Sequence, residues 1–249
     1  MSEISHHGRA TSSQALPPGA RIERHRHPLH QIVYPSSGAV SVTTPAGTWI
    51  TPANRAVWIP AGCWHEHKFH GPTQFHGVAL DPRRYRRGPA APAVLAVTPL
   101  MRELIIACSQ TDGTDTDEHH RMLAVLQDQL RATGAGEPLW IPTPVDARLR
   151  EACALIADNL AAPLTLPQIG HRIGVSQRTL SRLFGDELAM TFPQWRTQLR
   201  LQHALVLLAE RHDVTSVAAE CGWATTSAFI DTYRRAFGHT PGRLAARAR

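Results

Sequence analysis

The chain has 249 residues, long enough for two modest domains that each bury a core. Its formal charge is +6, and the excess lies toward the C-terminus, where residues 145–249 hold 13 arginines against 9 acidic residues, a balance suited to a polyanion and salt-sensitive binding. Scattered cysteines (Cys63, Cys108, Cys153, Cys221) exclude a disulfide framework or zinc knuckle and imply reduced thiols in a cytoplasm, and no apolar run nears the roughly 20 residues that span a bilayer, so no membrane partner is expected.

Residues 1–20 lack the apolar centre of a signal peptide and read as a flexible tail. Residues 21–85 change character. The runs QIVY, GAVSVTT, GTWI, AVWI, the stretch from Cys63 to Phe69, and FHGVAL alternate between apolar and polar and are broken by Gly, Pro and Asn. They predict the strands of a small all-β sandwich or barrel. Two spacings stand out within it. One is His25-Arg26-His27, three residues, Gln31, six residues, Gly38; the other is Pro60-Ala61-Gly62-Cys63-Trp64-His65. Residues i and i+2 of a strand share a face, so His25 and His27 converge on one point, and His65 shares a face with His67.

These two spacings resemble the sequence boxes of the cupin barrel. The resemblance implies a metal set of His25, His27, Gln31 and His65, with His67 as an additional ligand. Three or four imidazoles suit zinc, nickel, cobalt, copper or iron. Gln31 departs from the pattern, because it stands where metal-binding cupins carry a glutamate and so removes a negative charge. A second reading stays open, in which the histidines are polar lining of a metal-free pocket. Tyr34, Trp64, His67 and Phe69 are the candidate lining for a small-molecule effector, while Trp49 and Trp58 read as core filling.

Residues 81–92, DPRRYRRGPAAP, form a basic, proline-rich linker. A helical connector follows over 93–135. Thr98-Pro99 supplies an N-cap and first-turn proline for a helix through about Ser109. TDGTDTDE is a polar loop, and Met122, Leu123, Leu126 and Leu130 mark a second helix. Their apolar stripe serves either a homodimer contact or packing against the chain's own barrel. Asp146 caps the helix that opens the last domain, 145–249.

That domain contains the same unit twice. Leu166, Ile169, Ile173 and Gly174 recur as Val214, Val217, Cys221 and Gly222 at an offset of 48, and Ser176, Leu180 and Phe184 recur as Thr225, Phe229 and Tyr233 at 49. Each copy reads as a short helix, a glycine turn and a second helix opened by a hydroxyl N-cap. This is the outline of a helix-turn-helix, whose second helix enters the major groove.

At these residues the chain resembles the AraC/XylS family of transcription regulators, through the first unit, the helix with Phe192, Trp195, Arg196, Arg200 and Ala204, and a closing pattern of Phe229, Tyr233, Arg234, Phe237, Gly238, Thr240, Pro241 and Arg243. The resemblance implies that both units lie in successive major grooves, joined by one helix. From Phe192 to Glu210 that helix would span about 28 Å. It implies base-reading positions Arg178, Ser181 and Arg182 in the first copy and Thr226, Ser227, Ile230 and Asp231 in the second. Ser176, Gln177 and Thr225 complete the expected DNA-facing set. Arginine reads guanine through O6 and N7, whereas Asp231 is repelled by phosphate, so the first copy is expected to dominate.

The expected fold is therefore multi-domain α and β: an N-terminal cupin-like β-barrel, a helical connector and a C-terminal all-α double helix-turn-helix. The expected function is a cytoplasmic, sequence-specific regulator that binds double-stranded promoter DNA and senses a small-molecule or metal effector. RNA polymerase is a further partner if it activates. Two alternatives stand beside it. A cupin-type metal-dependent enzyme fused to a DNA-binding module is disfavoured by the missing carboxylate at Gln31 and the lack of a paired acid and base, so no catalytic residue is assigned. A constitutive DNA-binding dimer without effector is the other.

Overall fold

The computed structural model describes residues 11–85, 88–111, 116–132 and 140–242. Residues 1–10 of the tail expected over 1–20, 86–87 of the linker, 112–115 of the polar loop, 133–135 of the connector and 243–249 of the last domain, Arg243 among them, lie outside the described residues. The chain divides into two compact units, the first mainly residues up to 138 and the second mainly those from 139 onward.

Among the described residues the first unit is built on seven strands: β1 (Ser12–Leu16), β2 (Arg21–His25), β3 (His30–Thr44), β4 (Gly47–Pro52), β5 (Arg55–Ile59), β6 (His65–Leu80) and β7 (Ala93–Ala96). β6 pairs antiparallel with β1, β2 and β3, while β3 also pairs with β5, and β5 with β7. Alternation places Ile32, Tyr34, Val40, Val42, Trp58 and Phe69 inside, each at most 2% exposed.

Three expectations are corrected here. The flexible tail over 1–20 ends earlier than the composition implied, because Ser12–Leu16 is the strand β1, hydrogen-bonded to the 73–77 segment of β6. QIVY and GAVSVTT are one strand, bent by register shifts between Pro35 and Ala39 rather than broken by a loop. Gly38 sits in that bend with φ +73°, and a Cβ there would fall 2.4 Å from Thr73 Oγ1, so both conformation and space demand glycine. The stretch from Cys63 and FHGVAL likewise join into β6 through Gly71, φ +65°.

Two helices complete this unit: α1 (Pro99–Gln110) and α2 (Asp117–Ala132). Thr98 caps α1 by accepting from the Met101 amide. Met101, Ile105 and Cys108 of α1, with Leu123 and Leu126 of α2, share one core with Ile32, Tyr34, Trp58, Val78 and Leu80. Burying Met101 and Ile105 contributes roughly 1.5–3 kcal/mol each. The apolar stripe that raised two readings thus packs within the first unit, α2 against α1 and α1 against β6, with Met122 and Leu130 partly buried.

The second unit contains a short strand, β8 (Trp140–Pro142), and six helices among the described residues: α3 (Ala147–Asp158), α4 (Leu166–Ile173), α5 (Gln177–Leu188), α6 (Phe192–Ala209), α7 (Val214–Glu220) and α8 (Thr226–Phe237). Phe184 meets Phe192 and Trp195 with ring centroids 5.8 and 5.5 Å apart, in the core that packs α3, α4, α5 and the start of α6 together. Asp146 caps α3 by accepting from the Arg148 amide.

Candidate nucleic-acid interface and histidine cluster

The internal repeat is visible down to individual backbone hydrogen bonds. In the first copy the Val175 amide donates to Gly170 O at 2.8 Å, and in the second the Trp223 amide donates to Ala218 O at 2.9 Å. Gly174 and Gly222 carry the turns at φ +67° and +79°, the left-handed region that L side chains avoid. Ser176 then accepts from the Thr179 amide and Thr225 from the Ala228 amide, so α5 and α8 each start from a hydroxyl cap.

Packing decides which faces remain open. α5 buries Leu180, Leu183, Phe184 and Leu188, and α8 buries Phe229, Tyr233 and Phe237. Ser176, Gln177, Arg178, Ser181 and Arg182 are all exposed on the first copy; on the second, Thr225, Ser227 and Asp231 are exposed while Thr226 and Ile230 are half-buried. Each copy therefore presents its expected residues on an accessible helix face. Their charges are partly matched within each helix. Arg182 pairs with Asp186 at 3.1 Å, and Asp231 pairs with Arg234 at 3.0 Å. Exposed pairs of this kind contribute about 0–1 kcal/mol, weak enough to give way to a phosphate or base. The Arg234 partner offsets the repulsion expected of Asp231, a feature the sequence reading missed although the i,i+3 spacing displays it.

The last residue of β2, the loop that follows it and the first residue of β6 bring His25, His27 and His65 together, with one ring nitrogen of each within 4.8 Å of the others; His27 lies beyond the strand end, so the strand alternation expected for His25 and His27 is not what joins them. His25 Nδ1 lies 2.8 Å from Glu23 O, His27 Nδ1 2.8 Å from Leu29 O, and His65 Nδ1 3.0 Å from Cys63 O. A carbonyl oxygen only accepts, so each Nδ1 is the protonated nitrogen and each Nε2 carries a lone pair. His65 is fully buried, and its Nε2 has no hydrogen-bond partner. Burial lowers the His65 pKa to about 4, and the neighbouring His25 and His27 push the same way, against the bond to Cys63 O. His65 is thus neutral at physiological pH, with the lone pair of its buried Nε2 unpartnered.

Gln31, 4% exposed, places its Oε1 3.4 Å from His27 Nε2. Both atoms are acceptors as written. The contact is satisfied either by a half-turn of the amide, which presents its NH2 to the ring, or by a cation between them.

Comparison with known proteins bears on both units. Residues 169–247 match the helix-turn-helix domain family and residues 12–80 the cupin domain family. The chain is 30% identical over 225 residues to the HTH-type transcriptional regulator NimR of Escherichia coli, covering 90% of this chain and 82% of that protein. The chain belongs to the AraC family of DNA-binding transcriptional regulators. The HTH-type transcriptional activator RhaS of Escherichia fergusonii is 35% identical over 100 residues, 40% of this chain and 36% of that protein. An AraC-type regulator structure from Chromobacterium violaceum is 33% identical, covers 41% of this chain and 93% of its own, and has a TM-score of 0.38.

The remaining expected residues of this AraC-family regulator are not gathered into one pocket. Tyr34 is fully buried in the core shared with α1 and donates its hydroxyl to Ala53 O at 2.8 Å. Trp64 is half-buried beneath the Arg24 guanidinium, 4.0 Å from ring centre to Cζ. His67 and Phe69 are together, edge to face at 6.3 Å, with Phe75 beside both. His67 stacks 5.2 Å from His65 and therefore backs the cluster. Trp49 and Trp58, each 2% exposed, are core residues. The four residues expected to line one pocket divide between opposite surroundings because Tyr34 points to the helix-covered core. No helix among the described residues is long and apolar enough to cross a membrane.

Proposed function

We propose that this regulator contacts promoter DNA through Ser176, Gln177, Arg178, Ser181 and Arg182 on one reading helix and Thr225, Thr226, Ser227, Ile230 and Asp231 on the other. In this reading residues 145–249 form the DNA-binding domain, the sheet of β1–β7 the sensor, and α1 with α2 the connector, so that the sensor takes in Ser12–Leu16 and Ala93–Ala96 beyond the expected 21–85 and the connector begins later than the expected 93. The effector of the sensor is a divalent transition metal held by His25, His27 and His65, with Gln31 alongside.

The observation that carries the metal reading is the fixed tautomer of three histidines. Each Nδ1–H is committed to a backbone carbonyl, the outer contact that metal-binding imidazoles characteristically make, and this leaves three basic nitrogens turned toward a common centre. The three nitrogens lie within 4.8 Å of one another, so small movements of the rings would let all three hold one ion. His25 ends β2 and His65 begins β6, whose pairing shifts register between Ile22 and His25. Holding these residues together would order that irregular junction. The bound ion supplies Lewis-acid attraction for the three imidazoles. The likeness to named transcriptional regulators supports a regulatory role for such an ion.

Metal-stripped protein titrated with zinc, nickel or cobalt should take up one equivalent. Its affinity for an operator, selected from random duplex DNA, should differ between stripped and loaded protein. Lack of uptake at micromolar metal removes the metal reading, while uptake with unchanged operator affinity leaves a structural ion and removes the sensor.

A further inference from the structure

The long helix α6 touches both helix-turn-helix units, and two of its arginines make the contact. Arg196 Nη1 donates to Leu164 O at 2.9 Å, and one turn later Arg200 Nη2 donates to Leu160 O at 3.4 Å. Both carbonyls belong to the connection between α3 and α4 in the first half of the domain. Arg200 also faces the second copy, with its Cζ 5.9 Å from the centre of the Trp223 ring. Gly222, in the turn of that copy, is closer still. A Cβ at Gly222 would fall 2.7 Å from Arg200 Nη2, 2.7 Å from Leu160 O and 2.9 Å from Ala161 Cα. The connection from the first half and the turn of the second therefore meet across one guanidinium.

Stability alone does not account for an arginine here. Arg200 is half-buried, its Nε is buried without a hydrogen-bond partner, and its hydrogen bond to Leu160 is long. Desolvating a cation for so little return contributes weakly to folding and often opposes it. What such a group does supply is a fixed arrangement, because a planar fork between a carbonyl, a glycine and an indole admits few alternatives.

The arrangement it fixes matters to a protein with two reading helices. Helix α6, 18 residues long, spans about 27 Å, and successive major-groove sites lie roughly 34 Å apart. Inserting one base pair between half-sites moves the second by about 3.4 Å and rotates it by about 35°. We propose that Arg200 is a positioning residue that sets the angle and separation of α5 and α8, and thereby the half-site spacing the regulator accepts. It makes no contact with a base in this role. It acts by holding the Leu160 carbonyl and the Gly222 turn in one geometry.

The test uses the full-length protein and an operator selected by it from random duplex DNA. Derivatives carry one base pair more or one fewer between the half-sites. Wild type should lose about tenfold or more in affinity on the altered spacings, and Arg200→Met, which keeps the apolar stem, should reduce that penalty to about threefold or less. Arg200→Lys, which keeps stem and charge but lacks the fork, should also flatten the spacing profile, and it serves as the comparison if Arg200→Met does not fold. A variant that binds all spacings more weakly by the same factor, or that keeps the wild-type ratio, overturns the proposal, as does a wild type indifferent to spacing. The inference rests on α5 and α8 being the reading helices. A selected operator without two half-sites overturns that reading, whereas an unchanged spacing profile on a two-part operator overturns only the role of Arg200.

Discussion

The imidazole of His76 on β6 and the hydroxyl of Ser109 on α1 meet at 2.9 Å, in a buried junction between sheet and helix. The same ring nitrogen lies 3.2 Å from Ser13 Oγ on β1, and the opposite nitrogen lies 2.9 Å from Ser36 Oγ on β3. One side chain therefore ties three strands and a helix.

That junction makes the first unit sensitive to acid. Burial lowers the pKa of His76 to about 4, with Arg102 adding to the effect, and burial together with Lys68 does the same to His70. The usual value is 6.5. The neutral folded forms are fully favoured above about pH 6.5. As pH falls from there toward about 4, the unfolded chain takes up protons that the folded chain refuses, and stability declines by up to about 1.4 kcal/mol per pH unit for each group. Urea denaturation at pH 7.5, 6 and 5 should show a steady loss. His76→Gln should flatten part of that slope, and a wild-type profile independent of pH would contradict the assignment.

On the DNA side, Arg178→Ala and Arg182→Ala should each cost about 1–3 kcal/mol in binding a selected operator and relax preference at one base position. Ser227→Ala should cost less than either. Asp186→Ala frees Arg182 from its 3.1 Å partner and should tighten binding slightly at low salt. Gel-shift titrations across these four variants test the ranking, and a larger loss from Ser227→Ala than from Arg182→Ala reverses it.

For the histidine cluster, zinc at 100 times its Kd should stabilise the protein by about 2.7 kcal/mol, read as a rise in melting temperature that a chelator removes. His65→Ala should abolish this shift. Gln31→Glu restores a negative charge beside His27 and should tighten metal binding on the order of tenfold or more. Equal affinity in wild type and Gln31→Glu would place the side chain outside the ligand set.

Gly170 and Gly174 offer an inverted expectation. Gly174 has left-handed backbone but open space around it, so Gly174→Ala should cost only about 1–2 kcal/mol. Gly170 is in the helix α4, where alanine is normally preferred by about 0.5–1 kcal/mol. A Cβ at Gly170, however, would fall 2.3 Å from Val175 O, the carbonyl of the turn itself. Gly170→Ala should therefore be the more damaging change, which thermal denaturation of the two variants will show.

The helical half was legible because its signals are local. Glycines with positive φ, hydroxyl caps three residues before the bonded amide, and an apolar repeat every three to four residues all act within one turn of helix. Thr98, Asp146, Ser176 and Thr225 each cap as their neighbours imply. The sheet was harder to read because its logic is long-range. Ser12–Leu16 resembles a tail until β6 arrives some sixty residues later to pair with it. Pro35 and Gly38 look like loop residues but bend a continuous strand whose partner tolerates the bulge. His25, His27 and His65 could be grouped from spacing alone, whereas the carbonyls that fix their tautomers could not, since hydrogen bonds two residues apart depend on the exact backbone path. Tyr34 was misgrouped with His67 because alternation gives a face and not the element that covers it.

Every positive charge in the DNA-reading half is an arginine or a histidine, and the chain's one lysine, Lys68, lies on β6. Lysine acetylation therefore has no side chain to neutralise on α5 or α8, and arginine keeps its charge throughout the physiological pH range. The affinity of this half for DNA is closed to the commonest form of covalent charge removal. Salt and protein concentration remain available to tune it.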